Sequence, residues 1–363
     1  MMTDRDYMLR AIELAKKGEG YTNPNPMVGA VIVKDNQIIG EGYHERCGQL
    51  HAERNAFKNL TQDAAGATLY VTLEPCCHYG KTPPCTEAII ENRISKVVIG
   101  SRDPNPKVSG KGAKLLREAG IEVVEDFMKE ECDRLNPVFF HYITNRTPYV
   151  IYKYAMTADG KIATKTGASR WITGEQARMQ VHMMRHKYMA ILAGIGTVLA
   201  DDPMLNTRIE GLKSPIRVIC DSHLKIPMES RIVKTARDYE TIVVCANASH
   251  EKIQALENAG INVLIMPGED GRVDMLRLMH ELGRTGVDSL LVEGGGTIND
   301  ALMRERIGNR VELFIGSKIF GGKDAKSPVE GIGIENVEEG VKLEMNDFKP
   351  IGNDFWISYD IRW

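Results

Sequence analysis

The sequence lacks several features that mark particular classes of protein. It has no excess of positive charge, because 46 lysines and arginines face 49 acidic residues for a net charge of −3. It therefore offers no general attraction to nucleic acid or to an anionic membrane. It has no run of about 18 apolar residues, which a membrane-spanning helix requires, and residues 1–6 are polar with no apolar signal core. We expect a cytoplasmic protein whose partners are small molecules.

The cysteines do not follow the pattern of a disulfide-stabilised protein. There are seven of them, an odd number, scattered along 363 residues. Three, Cys76, Cys77 and Cys85, lie close together as metal ligands would. A chain of this length is sufficient for two domains of ordinary size, each with its own core.

A histidine and two cysteines form a candidate zinc site. His51-Ala52-Glu53 is followed by Pro75-Cys76 and, nine positions after Cys76, by Cys85. One imidazole and two thiolates suit a tetrahedral zinc ion that keeps a fourth position for water. We predict His51, Cys76 and Cys85 as ligands and Glu53 as the catalytic residue that carries a proton from the water to a leaving amine. Zinc nucleobase deaminases combine H-x-E with P-C-x-x-C; the spacing here is longer, so Cys77 is the alternative second thiolate.

The first half of the chain alternates between predicted helices and strands. Helices are predicted at 7–15, 51–60, 86–93 and 118–136, a hairpin at 28–34 and 37–42, and strands at 67–72 and 96–100. This alternation predicts a three-layer α/β domain. Helix N-termini, which carry partial positive charge, would converge on the zinc and favour deprotonated thiols.

The zinc motif and its insert at 78–84 resemble the deaminase domain of the bifunctional riboflavin-biosynthesis deaminase/reductase family. The order of elements is similar to the cytidine-deaminase-like fold. The resemblance implies that Asn25 orients the pyrimidine and that His44 and Lys81 face the ribose phosphate of the substrate. Asn25 has an alternative as a turn residue before Pro26, and Lys81 has one as an ordinary solvated loop residue.

The polar segment 144–148 predicts a domain boundary, which gives domains at 1–145 and 146–363. A strand at 148–157 ends at an Asp-Gly turn. Further strands are predicted at 217–220, 241–246, 262–266, 310–316 and 354–362, with 311–319 and the last run forming an antiparallel edge. Segments of this half resemble the reductase domain of the same family, which shares the dihydrofolate-reductase fold; they are 148–163, 169–173, 194–208, 219–222 and 292–298. The resemblance implies a zinc-dependent pyrimidine deaminase domain followed by an NADPH-dependent reductase domain.

Residues 290–299 read as a buried strand that enters a glycine-rich turn and then a helix. Glycines let backbone N–H groups approach a pyrophosphate at a helix N-terminus, although a plain strand-to-helix turn is the alternative. The G-x-G-x-x-G fingerprint is absent, which disfavours a Rossmann domain. NADPH as the hydride donor is implied by the family resemblance and not by the spacing.

The resemblance also implies two sets of binding residues in the second half. The cofactor-binding set is Ala155, Trp171, Thr197, Asp201, Ser222, Gly295, Gly296, Thr297, Ile298, Asn299, Asp300 and Ala301. The substrate-binding set is Lys153, Ser169, Arg185, Leu205, Arg208 and Glu293. Guanidinium groups bind phosphate bidentately, but a helix-surface ion pair is the alternative for Arg185 and Arg208. Lys153 or Asp201 could polarise the opened sugar or relay protons, and Trp171 could instead belong to the core.

The implied function is a pair of consecutive reactions on one small molecule. The first is hydrolytic deamination of 2,5-diamino-6-(5-phospho-ribosylamino)pyrimidin-4-one, and the second is NADPH-dependent reduction of its ribosyl group to ribityl. The family also implies a homo-oligomer formed through the reductase domain. Two alternatives are a nucleic-acid base deaminase with an accessory domain, and a ligand-binding protein whose structural zinc is closed by Cys77 or His78.

Overall fold

A computed structural model describes residues 2–79, 83–105 and 108–363. The chain forms two compact units, Met1–Arg146 and Thr147–Trp363. No helix of the described segments is long and apolar enough to cross a membrane.

The first unit is a five-stranded sheet covered by helices on both faces. Its elements are α1 Asp4–Lys16, β1 Gly29–Lys34, β2 Gln37–Tyr43, α2 Ala52–Lys58, β3 Thr68–Leu73, α3 Cys85–Glu91, β4 Lys96–Ser101, α4 Lys111–Glu118, β5 Glu122–Val124, α5 Lys129–Asp133 and α6 Pro137–Asn145. The strand order is β2-β1-β3-β4-β5. Alternate residues of β1 enter opposite cores: Val31 packs with α1, whereas Ile32 packs with α2, α3 and α4. The predicted three-layer arrangement therefore forms.

One predicted helix of this unit is wrong. The segment 118–136 contains the end of α4, the strand β5 and the short helix α5. Gly120 has a φ of 83°, a left-handed conformation that ends a helix and favours glycine. The following residues, 122–124, then pair in parallel with β4.

The second unit is built on a nine-stranded sheet. Its elements are β6 Tyr149–Thr157, α7 Glu175–Lys187, β7 Ala190–Gly194, α8 Ile195–Asp201, β8 Ile216–Cys220, α9 Arg231–Lys234, β9 Thr241–Cys245, α10 His250–Asn258, β10 Asn262–Ile265, α11 Met275–Arg284, β11 Ser289–Val292, α12 Gly296–Arg304, β12 Arg310–Gly316, a 3₁₀ turn Val337–Glu339, β13 Lys342–Ile351 and β14 Asp354–Arg362. The strand order is β10-β9-β8-β7-β11-β6-β12-β14-β13. The first seven strands in this order, from β10 through β6 to β12, are parallel to one another. The segments that follow most of these strands therefore lie at the same edge of the sheet.

The antiparallel edge differs in part from the prediction. Strand β12 pairs antiparallel with β14, as expected, but the outermost strand is β13. The prediction missed β13 because nearly all of its side chains are exposed and the register shift between Met345 and Asp347 interrupts its alternation of polar and apolar residues. The segment 317–319, assigned to the edge from sequence, lies beyond the end of β12.

Candidate active sites

His51, Cys76 and Cys85 come together in the first unit as the sequence predicted. Their ligand atoms all lie within 4.8 Å of one another. His51 Nδ1 is 3.4 Å from Cys76 Sγ and 3.5 Å from Cys85 Sγ. A tetrahedral zinc ion at about 2.3 Å from sulfur and about 2.0 Å from nitrogen separates such ligand atoms by roughly 3.5 Å. The three side chains therefore fit a zinc ion.

Local structure brings these ligands into position. His51 is the N-cap of α2 and lies just before the helix, not inside its first turn as predicted. Cys85 is the first residue of α3, and its backbone N–H donates to Cys76 Sγ at 3.3 Å. Arg54 of α2 donates to the carbonyls of Pro83 and Pro84. This contact fixes the start of α2 against the start of α3, so two helix N-termini face the cluster.

The pKa values of the Cys76 and Cys85 thiols are shifted in opposite directions. A hydrogen bond from Cys85, together with the hydrogen bond and charge of His51, lowers the pKa of Cys76 against the opposing effect of burial. The interaction with Cys76, together with burial and Glu53, raises the pKa of Cys85. Cys76 is therefore the more acidic of the two thiols, and a cation that binds there favours the thiolate form of both.

Glu53 lies beside the cluster in a buried position. Its side chain is 3% exposed and interacts with the Cys85 thiol. Burial raises the pKa of Glu53, the thiolate of Cys76 raises it further, and His51 opposes the rise. A raised pKa brings a carboxyl group closer to the range in which it can both accept and donate a proton, which is the property of a general acid and base.

Asn25 and His44 border the same cluster. Asn25 Nδ2 is 3.2 Å from His44 Nε2, and His44 Nδ1 is 3.0 Å from the carbonyl of Leu50. The His44 ring lies edge-on to the ring of His51, with centroids 5.5 Å apart. Burial lowers the pKa of His44, so a neutral ring that donates through Nδ1 and accepts through Nε2 satisfies both contacts. Asn25 therefore takes part in a hydrogen-bonded polar group beside the cluster, in addition to lying in the turn before Pro26.

The remaining predictions of this unit have different outcomes. Lys81 lies outside the described residues. Cys77 and His78 do not join the group of three ligands, and no fourth His, Cys, Asp or Glu ligand joins it within the described part of the chain. This arrangement disfavours the closed structural zinc site.

Two buried carboxyl groups near the cluster were not predicted. Glu74 accepts backbone N–H groups of Gly110, Gly112 and Ala113 and so caps α4. Asp103 is 7% exposed, and burial raises its pKa to about 6, with Glu74 and Cys76 contributing. Neither residue has a diagnostic spacing; the only signal was its position just after a buried strand, Glu74 directly after β3 and Asp103 two residues after the end of β4.

The second unit contains a cavity of about 1720 Å³ at the edge where its parallel strands end. Single-ligand sites commonly measure about 300–1,000 Å³, so this cavity is large enough for a dinucleotide and a second molecule. Predicted residues that line it are Lys153, Ala155, Ser169, Trp171, Arg185, Thr197, Asp201, Leu205, Arg208, Ser222, Glu293, Gly295, Gly296, Thr297, Ile298 and Ala301. Asn299 and Asp300 do not: Asn299 donates to the carbonyl of Pro328, and Asp300 pairs with Arg304.

Glu293 holds two cations at the cavity wall. It accepts from Arg185 Nε at 2.7 Å and Nη2 at 2.8 Å, and Lys153 Nζ lies 3.6 Å from its Oε2. Burial raises the pKa of Glu293, but the charges of Arg185 and Lys153 outweigh it and bring the pKa to about 2. The ion pair considered as an alternative for Arg185 therefore exists, but it is buried and not on a helix surface. Arg185 Nη1 also donates to the carbonyl of Asn206.

Arg208 is better placed than Arg185 to receive a phosphate. Its side chain is exposed to the cavity, and burial with the charges of Arg185, Arg231 and Arg170 lowers its pKa. Cations that repel one another in this way favour an anion between them. Ser169 Oγ donates to Asp201, which fixes the loop that faces them.

The glycine-rich turn fits the phosphates of a dinucleotide. The N-cap of α12 is Gly295, with no side chain that caps the helix. A Cβ atom at Gly295 would meet nothing within 4 Å, whereas one at Gly294 would lie 2.9 Å from Ile298. The N–H group of Ile298 donates to the carbonyl of Gly295 at 3.0 Å, and the Glu330 side chain lies against Gly296. The N–H groups of Gly296 and Thr297 are therefore the ones at this helix start that suit an anion. Trp171 is 54% exposed at the cavity, so it is not a core residue.

The fold and the two sites define an enzyme that joins a zinc-dependent deaminase to a reductase. The zinc-binding region of cytidine and deoxycytidylate deaminases matches residues 1–101, and the RibD C-terminal domain matches residues 148–357. Riboflavin biosynthesis protein RibD of Actinobacillus pleuropneumoniae is 52% identical over 99% of this chain and 95% of its own length. The Escherichia coli K12 protein of the same name is 36% identical over 97% of this chain and 98% of its own.

Solved structures agree with these sequence matches. One form of Acinetobacter baumannii RibD has a TM-score of 0.89 at 35% identity, with 99% of both chains covered. A Thermotoga maritima diaminohydroxyphosphoribosylaminopyrimidine deaminase/5-amino-6-(5-phosphoribosylamino)uracil reductase has a TM-score of 0.87 at 38% identity, with 98% of both chains covered. The chain belongs to the RibD family, whose members are bifunctional deaminase/reductases of riboflavin biosynthesis. The predicted fold class, function and cofactors, zinc and NADPH, are confirmed, and the substrate is a small molecule.

Proposed function

We propose that the domain at 1–145 removes the 2-amino group of 2,5-diamino-6-(5-phospho-ribosylamino)pyrimidin-4-one by hydrolysis. The domain at 146–363 then reduces the ribosyl group of the product to ribityl with NADPH. The observation that carries this proposal is the three-ligand cluster with a buried carboxyl group beside it. An open ligand position with an adjacent acid–base residue is the arrangement of a hydrolytic site.

We assign the metal to His51 Nδ1, Cys76 Sγ and Cys85 Sγ. When bound there, zinc supplies Lewis acidity and makes a water molecule acidic near neutral pH. Glu53 takes a proton on its carboxylate and returns it to the departing amino nitrogen. Asn25 and His44, which hold each other by a hydrogen bond, orient the pyrimidine and its ribose phosphate, and Lys81 adds a cation for the phosphate.

In the reductase domain, we assign the phosphorylated end of the substrate to Arg208. Glu293 keeps Arg185 and Lys153 in place. Burial lowers the pKa of Lys153, Glu293 opposes that change, and Arg185 adds to it. An ammonium group of lowered pKa donates a proton more readily, so Lys153 is suited to protonate the sugar oxygen as hydride arrives. NADPH supplies the hydride, and the turn before α12 holds its phosphates.

We also propose that two copies of the chain associate through the reductase domain and that the enzyme acts in the cytoplasm. The association is supported by the outer edge of the nine-stranded sheet. Leu343, Met345, Phe348 and Phe355 lie on one face of β13 and β14 with exposures from 44% to 65%. An exposed edge strand with a contiguous apolar face is a surface that proteins normally cover. A second copy supplies the same surface, as a two-fold interface requires.

Replacement of Glu53 by Gln tests the deaminase assignment. The variant keeps the shape of the side chain but cannot carry the proton, so we expect ammonia release to fall about 10²–10⁴-fold. Zinc content, and reduction of separately supplied deaminated substrate, should stay at wild-type levels. Glu91→Gln, at the exposed end of α3, is the matched control. Near-normal ammonia release by Glu53→Gln would refute the assignment.

A further inference from the structure

We propose that the loop after β8, residues 221–226, binds the 2′-phosphate that distinguishes NADPH from NADH, with Lys225 as its principal ligand and His223 as the second. The inference rests on the proposed function, since it requires a nicotinamide dinucleotide in the cavity of the second unit. It identifies the residues that select between the two dinucleotides, which the sequence motifs do not reveal.

The strand order places this loop at the adenosine end of the cavity. Along the edge of the sheet the strands follow the order β6, β11, β7, β8. Lys153 lies on β6 and Glu293 directly follows β11, so the substrate and the nicotinamide belong there. The glycine-rich turn for the pyrophosphate also follows β11. Neighbouring strands lie about 4.8 Å apart, so the end of β8 is about 14 Å from that of β6. An extended dinucleotide that starts at β6 therefore directs its adenosine towards β8.

Hydrogen bonds within the loop fix its shape. Asp221 Oδ2 accepts the backbone N–H of Ile226 at 2.7 Å, and the carbonyl of Asp221 accepts that of Leu224 at 3.1 Å. Leu224 has a φ of 47°, and its side chain is buried. This tight loop exposes His223 and Lys225, and both line the cavity together with Ser222.

The charges of the loop favour a phosphate over a free ribose hydroxyl. In dinucleotide-binding folds that accept NAD, an acidic residue commonly binds the 2′-hydroxyl. The acidic residue here, Asp221, lies at the cavity wall but is only 1% exposed, and its Oδ2 is held by the backbone N–H of Ile226. The loop instead offers the cavity a hydroxyl, an imidazole and an ammonium group, all of which donate to phosphate oxygens. Lys225 forms no ion pair with a carboxylate in the described ranges of the chain.

Acidic groups also approach from the segment after β10. Glu269, Asp270 and Asp274 line the cavity. Asp270 accepts the backbone N–H of Arg272, and Asp274 accepts that of Arg277 at the start of α11. Two of the three carboxylates, those of Asp270 and Asp274, therefore already accept backbone N–H groups. The guanidinium group of Arg272 also lies at the cavity wall, 3.8 Å from Asp270.

Calorimetric titration of the full chain with 2′,5′-ADP and with 5′-ADP tests the inference by binding alone. The wild type should bind 2′,5′-ADP more tightly, because only this probe carries the 2′-phosphate. Lys225→Met should weaken binding of 2′,5′-ADP about tenfold or more, the usual effect of losing a hydrogen bond to a charged group. Binding of 5′-ADP should change less than about twofold. Lys234→Met, an exposed lysine paired with Glu229 outside the cavity, is the matched control.

The outcomes separate this inference from the proposed function. If the wild type prefers 2′,5′-ADP and both Lys225→Met and the double variant with His223→Ala keep that preference, the inference is wrong and the cofactor assignment stands. If the wild type binds neither probe nor NADPH, the proposed cofactor site itself is wrong. A preference for NADPH over NADH in kcat/KM that disappears in Lys225→Met, but not in Lys234→Met, would support the inference by a second route.

Discussion

Replacement of Glu293 by Gln removes the carboxylate that pairs with two buried cations of the reductase domain, Arg185 and Lys153. Arg185 and Glu293 side chains are 13% and 10% exposed, and Lys153 is 13% exposed. Removal of one partner of a buried ion pair usually costs about 3–5 kcal/mol of folding free energy, because the other charge remains buried and unpaired. We expect Glu293→Gln to lower the stability of this domain by an amount in that range.

The pKa of Glu293 gives a second route to the magnitude. A change from 4.5 to about 2 on folding corresponds to stabilisation on the order of 3 kcal/mol. This value is an upper bound for the whole cluster, since burial lowers the pKa of Lys153 and so destabilises its charged form. Because the folded-state pKa of Glu293 is depressed, the stabilisation is fully present above about pH 4.5 and is lost as the pH falls towards about 2.

Urea unfolding followed by tryptophan fluorescence measures this effect selectively. All three tryptophans, Trp171, Trp356 and Trp363, lie in the second unit, so the signal reports on the reductase domain alone. The stability difference between wild type and Glu293→Gln should be constant from about pH 7 to pH 5 and should shrink below that range. The double variant Glu293→Gln/Arg185→Met is the control, since it removes one of the cations left unpaired. A difference below about 1 kcal/mol at pH 7, or one that does not change with pH, would refute the reasoning.

Three further predictions concern the metal, the substrate and the assembly. Cys85→Ser should lose zinc whereas Cys77→Ser should retain it, as measured by metal analysis of purified protein; retention by Cys85→Ser would contradict the ligand assignment. Arg208→Met should raise KM for the phosphorylated substrate about tenfold with little change in KM for NADPH, and steady-state kinetics in which both constants rise equally would contradict its role. Met345→Glu/Phe348→Glu should convert the assembly to monomers in light scattering, and an unchanged mass would exclude this face as the interface.

Local patterns in the sequence were sufficient to predict the zinc cluster. His51 and Glu53 are separated by one residue, and Cys76 follows a buried strand after Glu74 and Pro75, so the order of residue types already specifies the chemistry. The choice of Cys85 over Cys77 agrees with the geometry, since Cys85 begins α3 and Cys77 lies outside the group. The same reasoning predicted the buried strand, glycine-rich turn and helix at 290–299, where a short apolar run gives way to glycines.

Long-range pairing could not be predicted in the same way. Glu293 and Arg185 are 108 residues apart. Nothing in the sequence around either residue shows that the two side chains form an ion pair. The apolar residues between 121 and 135 were read as one helix, because the left-handed conformation of Gly120 and the pairing of β5 with β4 become visible only in the folded chain. Strand β13 was missed for a related reason: its alternation of polar and apolar residues is interrupted between Met345 and Asp347, and only its pairing with β14 in the folded chain shows that both parts form one strand.

The most direct test of the central claim follows ammonia release and NADPH oxidation together in one reaction. The purified zinc-loaded enzyme is given the diaminopyrimidine ribosyl phosphate, and both signals are recorded. We predict that ammonia appears first and that NADPH is then oxidised in equal amount, with the second signal abolished when ammonia release is blocked by Glu53→Gln. NADPH oxidation without prior ammonia release, or neither signal from folded and metal-loaded enzyme, would contradict the account.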